Sequence, residues 1–192
     1  MKELIKKLVS ENVSCNEKLL DNGQLAMIEE IAGLIIETYT YGKKVITMGN
    51  GGSAADAQHF AAELVCRFEK NRTALPAIAL PANTSSITAI GNDYSFEDIF
   101  SRQLEAFANE GDLVIGISTS GNSPNVLKGM EMAAERKART VGLTGQHGGK
   151  LKGKVDKCFC APATVTARIQ ECHVLVIHIL CKLVEEALFA EK

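Results

Sequence analysis

The sequence predicts an α/β fold built on a five-stranded parallel sheet with helices on both faces. Three observations carry that reading. Five short, mostly apolar runs (Val45–Met48, Ala77–Leu80, Leu113–Ile117, Val141–Thr144 and Cys158–Cys160) alternate with stretches of helical character, and strands joined by helical crossovers pair in parallel. The first run passes into Gly49-Asn50-Gly51-Gly52-Ser53, then into Ala54–Phe68, which is rich in helix formers and free of Gly and Pro. Finally, 192 residues with 46% hydrophobic content suit one compact domain over residues 1–192.

Taken in order, residues 2–20 read as a helix that Asp21-Asn22-Gly23 breaks. Gln24 to Tyr39 is a second helix with Met27, Ile28, Ile31, Leu34, Ile35 and Thr38 along one side, ended by Tyr41-Gly42. Two helices ahead of the first strand exceed what a minimal α/β unit needs. The pair, residues 1–41, is expected to pack on the sheet and on neighbouring subunits. Further helices are expected at 53–68, 95–109, 123–138, near 149, and from about Val165 to Ala190.

Ligands in open parallel sheets bind beyond the carboxyl ends of the strands, so the loops after 48, 80, 117, 144 and 160 matter most. The first aims unpaired N–H groups of a helix start at an anion. Gly49-x-Gly51-x-x-Ala54 also fits a loose dinucleotide fingerprint, but the second strand runs into Pro81-Ala82-Asn83 without the acid that would bind a ribose. No nucleotide cofactor is expected. His59 and Glu63, four residues apart, share one helix face and form either an acid–base or metal pair or a plain surface pair. The loop Gly116 to Asn125 is rich in hydroxyl and amide side chains, with Ser123 as N-cap and Pro124 at N1. It reads as a phosphate cradle without a lysine, or as a Ser-rich turn with a good cap; its place at the ligand end of the sheet favours phosphate. Asn92 and Asp93 suit either sugar hydroxyls or a plain turn, and Gly145-Gln146-His147-Gly148-Gly149 reads as structural. Gln170 and His178 in the last helix stand about 12 Å apart in rise. They either converge on a group opposite Val174 or are buried and satisfied by backbone.

Composition excludes several classes. A net charge of -2 gives no basis for nucleic-acid binding. No apolar run reaches transmembrane length, and Met1 to Lys7 reads as an amphipathic helix rather than a signal peptide, so no membrane partner and a cytoplasmic location are expected. The six cysteines form no CxxC pair and read as reduced packing residues.

Met-Gly-Asn-Gly-Gly-Ser at 48–53, Gln-His-Phe-Ala-Ala-Glu at 58–63, Gly-Asn-Asp at 91–93, Ser-Thr-Ser-Gly-Asn-Ser at 118–123, Arg-Ile-Gln-Glu at 168–171 and His178 together resemble the phosphoheptose isomerase family of the sugar-isomerase (SIS) fold. The resemblance implies a three-layer αβα sandwich, flavodoxin-like, assembled as a homotetramer. It implies conversion of sedoheptulose 7-phosphate to D-glycero-D-manno-heptose 7-phosphate, the first step of ADP-heptose synthesis for lipopolysaccharide core or other heptose glycans. By the same resemblance Asn50, Gly51, Gly52, Ser53, Glu63, Asn92, Asp93, Ser118, Thr119, Ser120, Ser123 and Gln170 are substrate contacts. His59, Glu63, Gln170 and His178 are ligands of one zinc ion per subunit, with Glu63 and His178 also the catalytic pair. Some relatives carry an acid just before Arg-Ile-Gln; here that position is Ala167. The alternative from another class is a non-catalytic SIS relative that binds the replication initiator DnaA. That relative lacks counterparts of Glu63 and His178, and both are present in this chain.

Overall fold

The structure, a computed structural model, describes residues 1–190. Strands β1 (Val45–Gly49), β2 (Ala77–Ala79), β3 (Leu113–Ser118), β4 (Arg139–Thr144) and β5 (Lys157–Cys160) form one parallel sheet in the order β2-β1-β3-β4-β5. Helices α1 (Lys2–Glu17) and α2 (Asn22–Thr40) precede it. Helices α3 (Gly52–Val65), α4 (Thr84–Asp93), α5 (Ser101–Phe107), α6 (Pro124–Glu135) and α7 (Thr166–Leu188) follow or connect its strands. Strand order reverses direction between β1 and β3, the place where doubly wound sheets open a crevice for ligands.

Period-two alternation divides the strands between two cores. Val45, Leu113, Ile115, Ile117, Val141, Leu143 and Phe159 face α2, α3 and α7. Ile46, Met48 and Val114 face the other way, toward Leu104 of α5 and Val126 and Met130 of α6. The result is the three-layer αβα sandwich. Helix α1 ties onto α7 through an Asn12–Glu171 hydrogen bond of 2.7 Å and the buried Cys15, while Leu4, Ile5, Leu8, Val9 and Val13 stay exposed. Among the described residues no helix is long and apolar enough to cross a membrane.

Several element boundaries differ from expectation, each for a local reason. Asp21 does not merely interrupt the chain; its side chain accepts from the Gly23 N–H at 2.8 Å and caps α2, so Asn22 and Gly23 lie inside that helix. The stretch expected as one helix over 95–109 is a 3-10 turn at Phe96–Asp98 followed by the short α5, with Ser95 bonding Asp98. Near 149 there is only a 3-10 turn, Leu151–Gly153. Helix α3 stops at Val65 rather than at 68, because Glu185 takes the N–H groups of Phe68, Glu69 and Lys70 that further helix would need.

Candidate active site

The turn after β1 rests on glycine chemistry. Gly51 adopts φ 55, ψ -121, a conformation costly for any residue with a Cβ, and from there the chain enters α3. Ala54 and Ala55 donate to the Gly51 carbonyl, while the first-turn N–H groups of Gly52 and Ser53 precede any helical acceptor. A Cβ on Gly52 would collide with the side-chain amide of Gln170. Asn50 and Asn125 exchange amide hydrogen bonds of 2.8 and 2.9 Å, locking this turn to the start of α6 across the β1–β3 crevice.

The loop after β3 faces the same crevice. Ser123 is the N-cap of α6 with Pro124 in its first turn, as the sequence predicts, but its hydroxyl pairs with the buried Ser118 hydroxyl at 2.9 Å instead of capping. Ser120 is exposed, its Oγ accepting from the Asn122 N–H at 3.1 Å. Between this loop, residues 145–148 and the start of α7 lies a cavity of about 200 Å³, lined by Thr119, Ser120, Gln146, His147, Thr164 and Ile169 among others. The 145–148 segment forms one wall of this cavity.

Helices α3 and α7 run side by side in the same direction. Gly52 lies beside Gln170 and His59 beside His178, while Arg72 and Glu185 close the far end. His59 Nε2 stands 2.9 Å from Glu63 Oε1 and 3.4 Å from His178 Nε2. The rings of His59 and His178 meet edge-on at 83°, and the Phe68 ring lies 5.5 Å from that of His178. One ligand atom from each of His59, Glu63 and His178 falls within 4.8 Å of the others. Arg72 and Glu185 fix this seam: Nε of Arg72 donates to Glu185 at 2.7 Å, and its other nitrogens reach the carbonyls of Glu63 and Leu64 at 2.8 and 2.9 Å. Burial works to lift the Glu185 carboxyl, but three backbone N–H donors and Arg72 outweigh it and bring it to about 2.

Comparison with known proteins decides what this arrangement belongs to. The sequence pattern of the SIS domain matches residues 14–145. The phosphoheptose isomerase of Trichlorobacter lovleyi is 52% identical over 189 residues, covering 98% of this chain and 96% of that one. That of Aneurinibacillus thermoaerophilus is 50% identical over 193 residues, covering 100% and 98%. The structure of a phosphoheptose isomerase from Neisseria gonorrhoeae superposes with a TM-score of 0.91 at 38% identity, covering 96% of this chain and 98% of that one.

The chain belongs to the phosphoheptose isomerase family.

These relatives are isomerases by name, and they lend nothing to the initiator-binding alternative. Of the residues matched to phosphoheptose isomerases, the structure gathers His59, Glu63 and His178 into one cluster, and Asn50, Gly51, Gly52, Ser53 and Gln170 into a second at the start of α3. Ser118, Thr119, Ser120 and Ser123 form a third group on the neighbouring loop. Asn92 and Asp93 end α4, exposed and bonded to each other at 2.8 Å. Gln170 lies against Gly52, about two helical turns or ~10 Å before His59, so its amide stands apart from the trio. The trio suits a metal by its chemistry. Two imidazoles and a carboxylate are a borderline donor set, and ligands at ~2.0–2.1 Å in a tetrahedron stand about 3.3–3.4 Å apart, close to the separation of the two Nε2 atoms. Sequence reasoning passed over Asn125, Asp56, Arg72, Glu185 and the fully buried His173. Of these only Asp56 left a signal, an acid three residues before His59 on the α3 face that His59 and Glu63 share.

Proposed function

We propose that this chain interconverts sedoheptulose 7-phosphate and D-glycero-D-manno-heptose 7-phosphate through an enediol(ate), in the cytoplasm, as the first step toward ADP-heptose. The convergence of His59, Glu63 and His178 from two helices far apart in sequence is the observation that carries this reading. Ketose-to-aldose conversion removes a proton from C1 and delivers one to C2, while the O1 proton leaves and O2 gains one. Glu63, half-buried against His59, takes the C1 proton and returns it at C2; His178 exchanges the proton between O1 and O2. The phosphate is assigned to the neutral donors of Ser118, Thr119, Ser120 and Ser123 at the α6 start. The sugar hydroxyls are assigned to Asn50, Gly51, Gly52, Ser53, Gln170, Asn92 and Asp93. His59, Glu63 and His178 are assigned to one zinc ion per subunit, with Gln170 able to join only by leaving Gly52. When bound, such an ion supplies positive charge where negative charge develops on oxygen.

Self-association, as a homotetramer, is part of the same reading. A cavity of about 420 Å³ lined by Leu19, Leu20, Leu25, Ile28, Leu175 and Leu183 among others is an apolar surface that favours a second copy.

The test is an assay of the purified protein with sedoheptulose 7-phosphate in deuterium oxide. Aldose carrying solvent deuterium at C2 is expected. A protein that leaves this substrate unchanged overturns the assignment; product without deuterium means either a hydride shift or a proton carried by Glu63 without exchange, and loss of activity in Glu63→Gln separates the two.

A further inference from the structure

Period-two alternation along β5 sends Phe159 into the core beside α7 and turns Cys158 and Cys160 to the opposite face of the sheet. The sheet therefore separates the two cysteines from His59, Glu63 and His178. β5 is an edge strand and both cysteines are half-buried, so small solutes reach them without unfolding. Their sulfurs stand 3.9 Å apart. Their register partners on β4 are Gly142 and Thr144. A Cβ at Gly142 would press on the Cys158 sulfur at 3.3 Å, so glycine leaves that thiol its room. The Thr144 hydroxyl oxygen closes a triangle, 3.4 Å from Cys160 Sγ and 3.7 Å from Cys158 Sγ. Carbonyls of Gly145 and Phe159 lie 3.1 and 3.3 Å from that oxygen and can accept its proton, which leaves lone pairs toward the sulfurs.

We propose that Cys158, Cys160 and Thr144 form a separate metal site, for a soft cation of the copper(I) class. It does not depend on the zinc reading given above. Around a tetrahedral ion with bonds of ~2.3 Å to sulfur and ~2.0–2.1 Å to oxygen, two sulfurs stand about 3.8 Å apart, and a sulfur and an oxygen about 3.5–3.6 Å. The three separations found here agree with that yardstick to within about 0.2 Å. Thiolates select copper(I) or zinc over harder ions, and two sulfurs with one hydroxyl fall short of the four N or S ligands of a structural zinc. A disulfide fits less well. Same-face positions of a strand lie ~6.6 Å apart at Cα, the far edge of what a disulfide spans, with their Cβ atoms pointing the same way. The first thiolate is at hand, because the hydrogen bond from Cys158 holds the Cys160 thiol below its ordinary value against burial, with Thr144 and Lys152 adding to it. The ion displaces the proton left on Cys158. Thr144 leads into Gly145, and Cys160 into Ala161–Thr164. A bound ion thus ties together the strand ends that carry residues 145–148 and 163–164 of the cavity lining.

The experiment titrates copper(I) from its coloured bicinchoninate complex, without oxygen, into full-length wild type, Cys158→Ser, Cys160→Ser and Cys66→Ser. Cys66, the exposed cysteine, serves as the control. Wild type and Cys66→Ser are expected to take up one equivalent more than either β5 variant. X-ray absorption of Cys66→Ser loaded with that equivalent should show two sulfur neighbours around copper, a reading that holds even if a serine in β5 disturbs the fold. Equal uptake by all four proteins overturns the proposal. So does loss of the equivalent in Cys66→Ser, or copper surrounded by nitrogen and oxygen alone. After the ion is stripped, wild type should again titrate with six free thiols. Two missing thiols mean that the pair has closed into a disulfide instead, which also overturns the site.

Discussion

Glu63 is the only carboxylate of the trio, and its 2.9 Å contact with His59 keeps it on the α7 side of α3. Glu63→Gln preserves shape and removes the proposed base, so kcat is expected to fall ~10²–10⁴-fold with KM for sedoheptulose 7-phosphate changed far less. Steady-state kinetics check this, and near-normal kcat would remove Glu63 from the proton path. His173 shows a different kind of constraint. Its ring is fully buried, Nε2 lies 3.0 Å from the Thr144 carbonyl, and Nδ1 has no partner. Burial pushes this imidazole down to about 4, against the Thr144 contact. The folded value lies below the ordinary 6.5, so the unfolded chain binds more protons in between. The His173 contribution is therefore complete above pH 6.5 and is lost as pH falls toward 4. Denaturant midpoints at pH 7 and pH 5 should differ more in wild type than in His173→Asn, whatever the variant's absolute stability; equal differences would refute the burial argument.

At the level of elements, the five strands were legible because each is a short apolar run between turn residues, and the α3 start because Gly-Asn-Gly-Gly admits little else. The end of α3 was not legible. It depends on Arg72 and Glu185, more than a hundred residues apart in sequence, each side chain 1% exposed and each bonded to backbone that local propensity would have left helical. The Asn50–Asn125 pair was hidden for the same reason, since reciprocal amides on two loops leave no periodic trace. Removing Arg72 leaves the buried Glu185 carboxylate without its guanidinium, held by three backbone N–H groups alone, and frees the Glu63 and Leu64 carbonyls from Arg72, so Arg72→Ala is expected to cost about 3 kcal/mol in unfolding free energy, measured by urea denaturation. Arg72→Met with Glu185→Leu should not recover that loss, because the N–H groups of Phe68, Glu69 and Lys70 then have no acceptor. A single variant as stable as wild type would mean that the pair does not organise the helix end.

On the scale of the whole molecule, the apolar surface between α1, α2 and α7 sets the expected assembly. Leu20 is 73% exposed, Leu25 46%, Leu175 37% and Leu183 39%, more than an isolated small sandwich ordinarily leaves on one face. Leu175→Asp with Leu183→Asp should lower the mass seen by light scattering at micromolar concentration. A monomeric wild type would overturn the assembly outright. The parallel run of α3 and α7 has a last consequence. Ser118–Ser123 and the α3 start occupy the carboxyl rim of the sheet, whereas His59 and Glu63 lie two to three turns further down, ~10–16 Å along the axis. With the phosphate and proton-transfer roles proposed above, the two ends make a ruler, with the sugar backbone as the length it measures. Pentulose and hexulose phosphates, gripped by the same end, should fall short of Glu63, so discrimination would appear in kcat more than in binding. Comparing sedoheptulose 7-phosphate with fructose 6-phosphate and ribulose 5-phosphate under identical conditions reads the ruler directly.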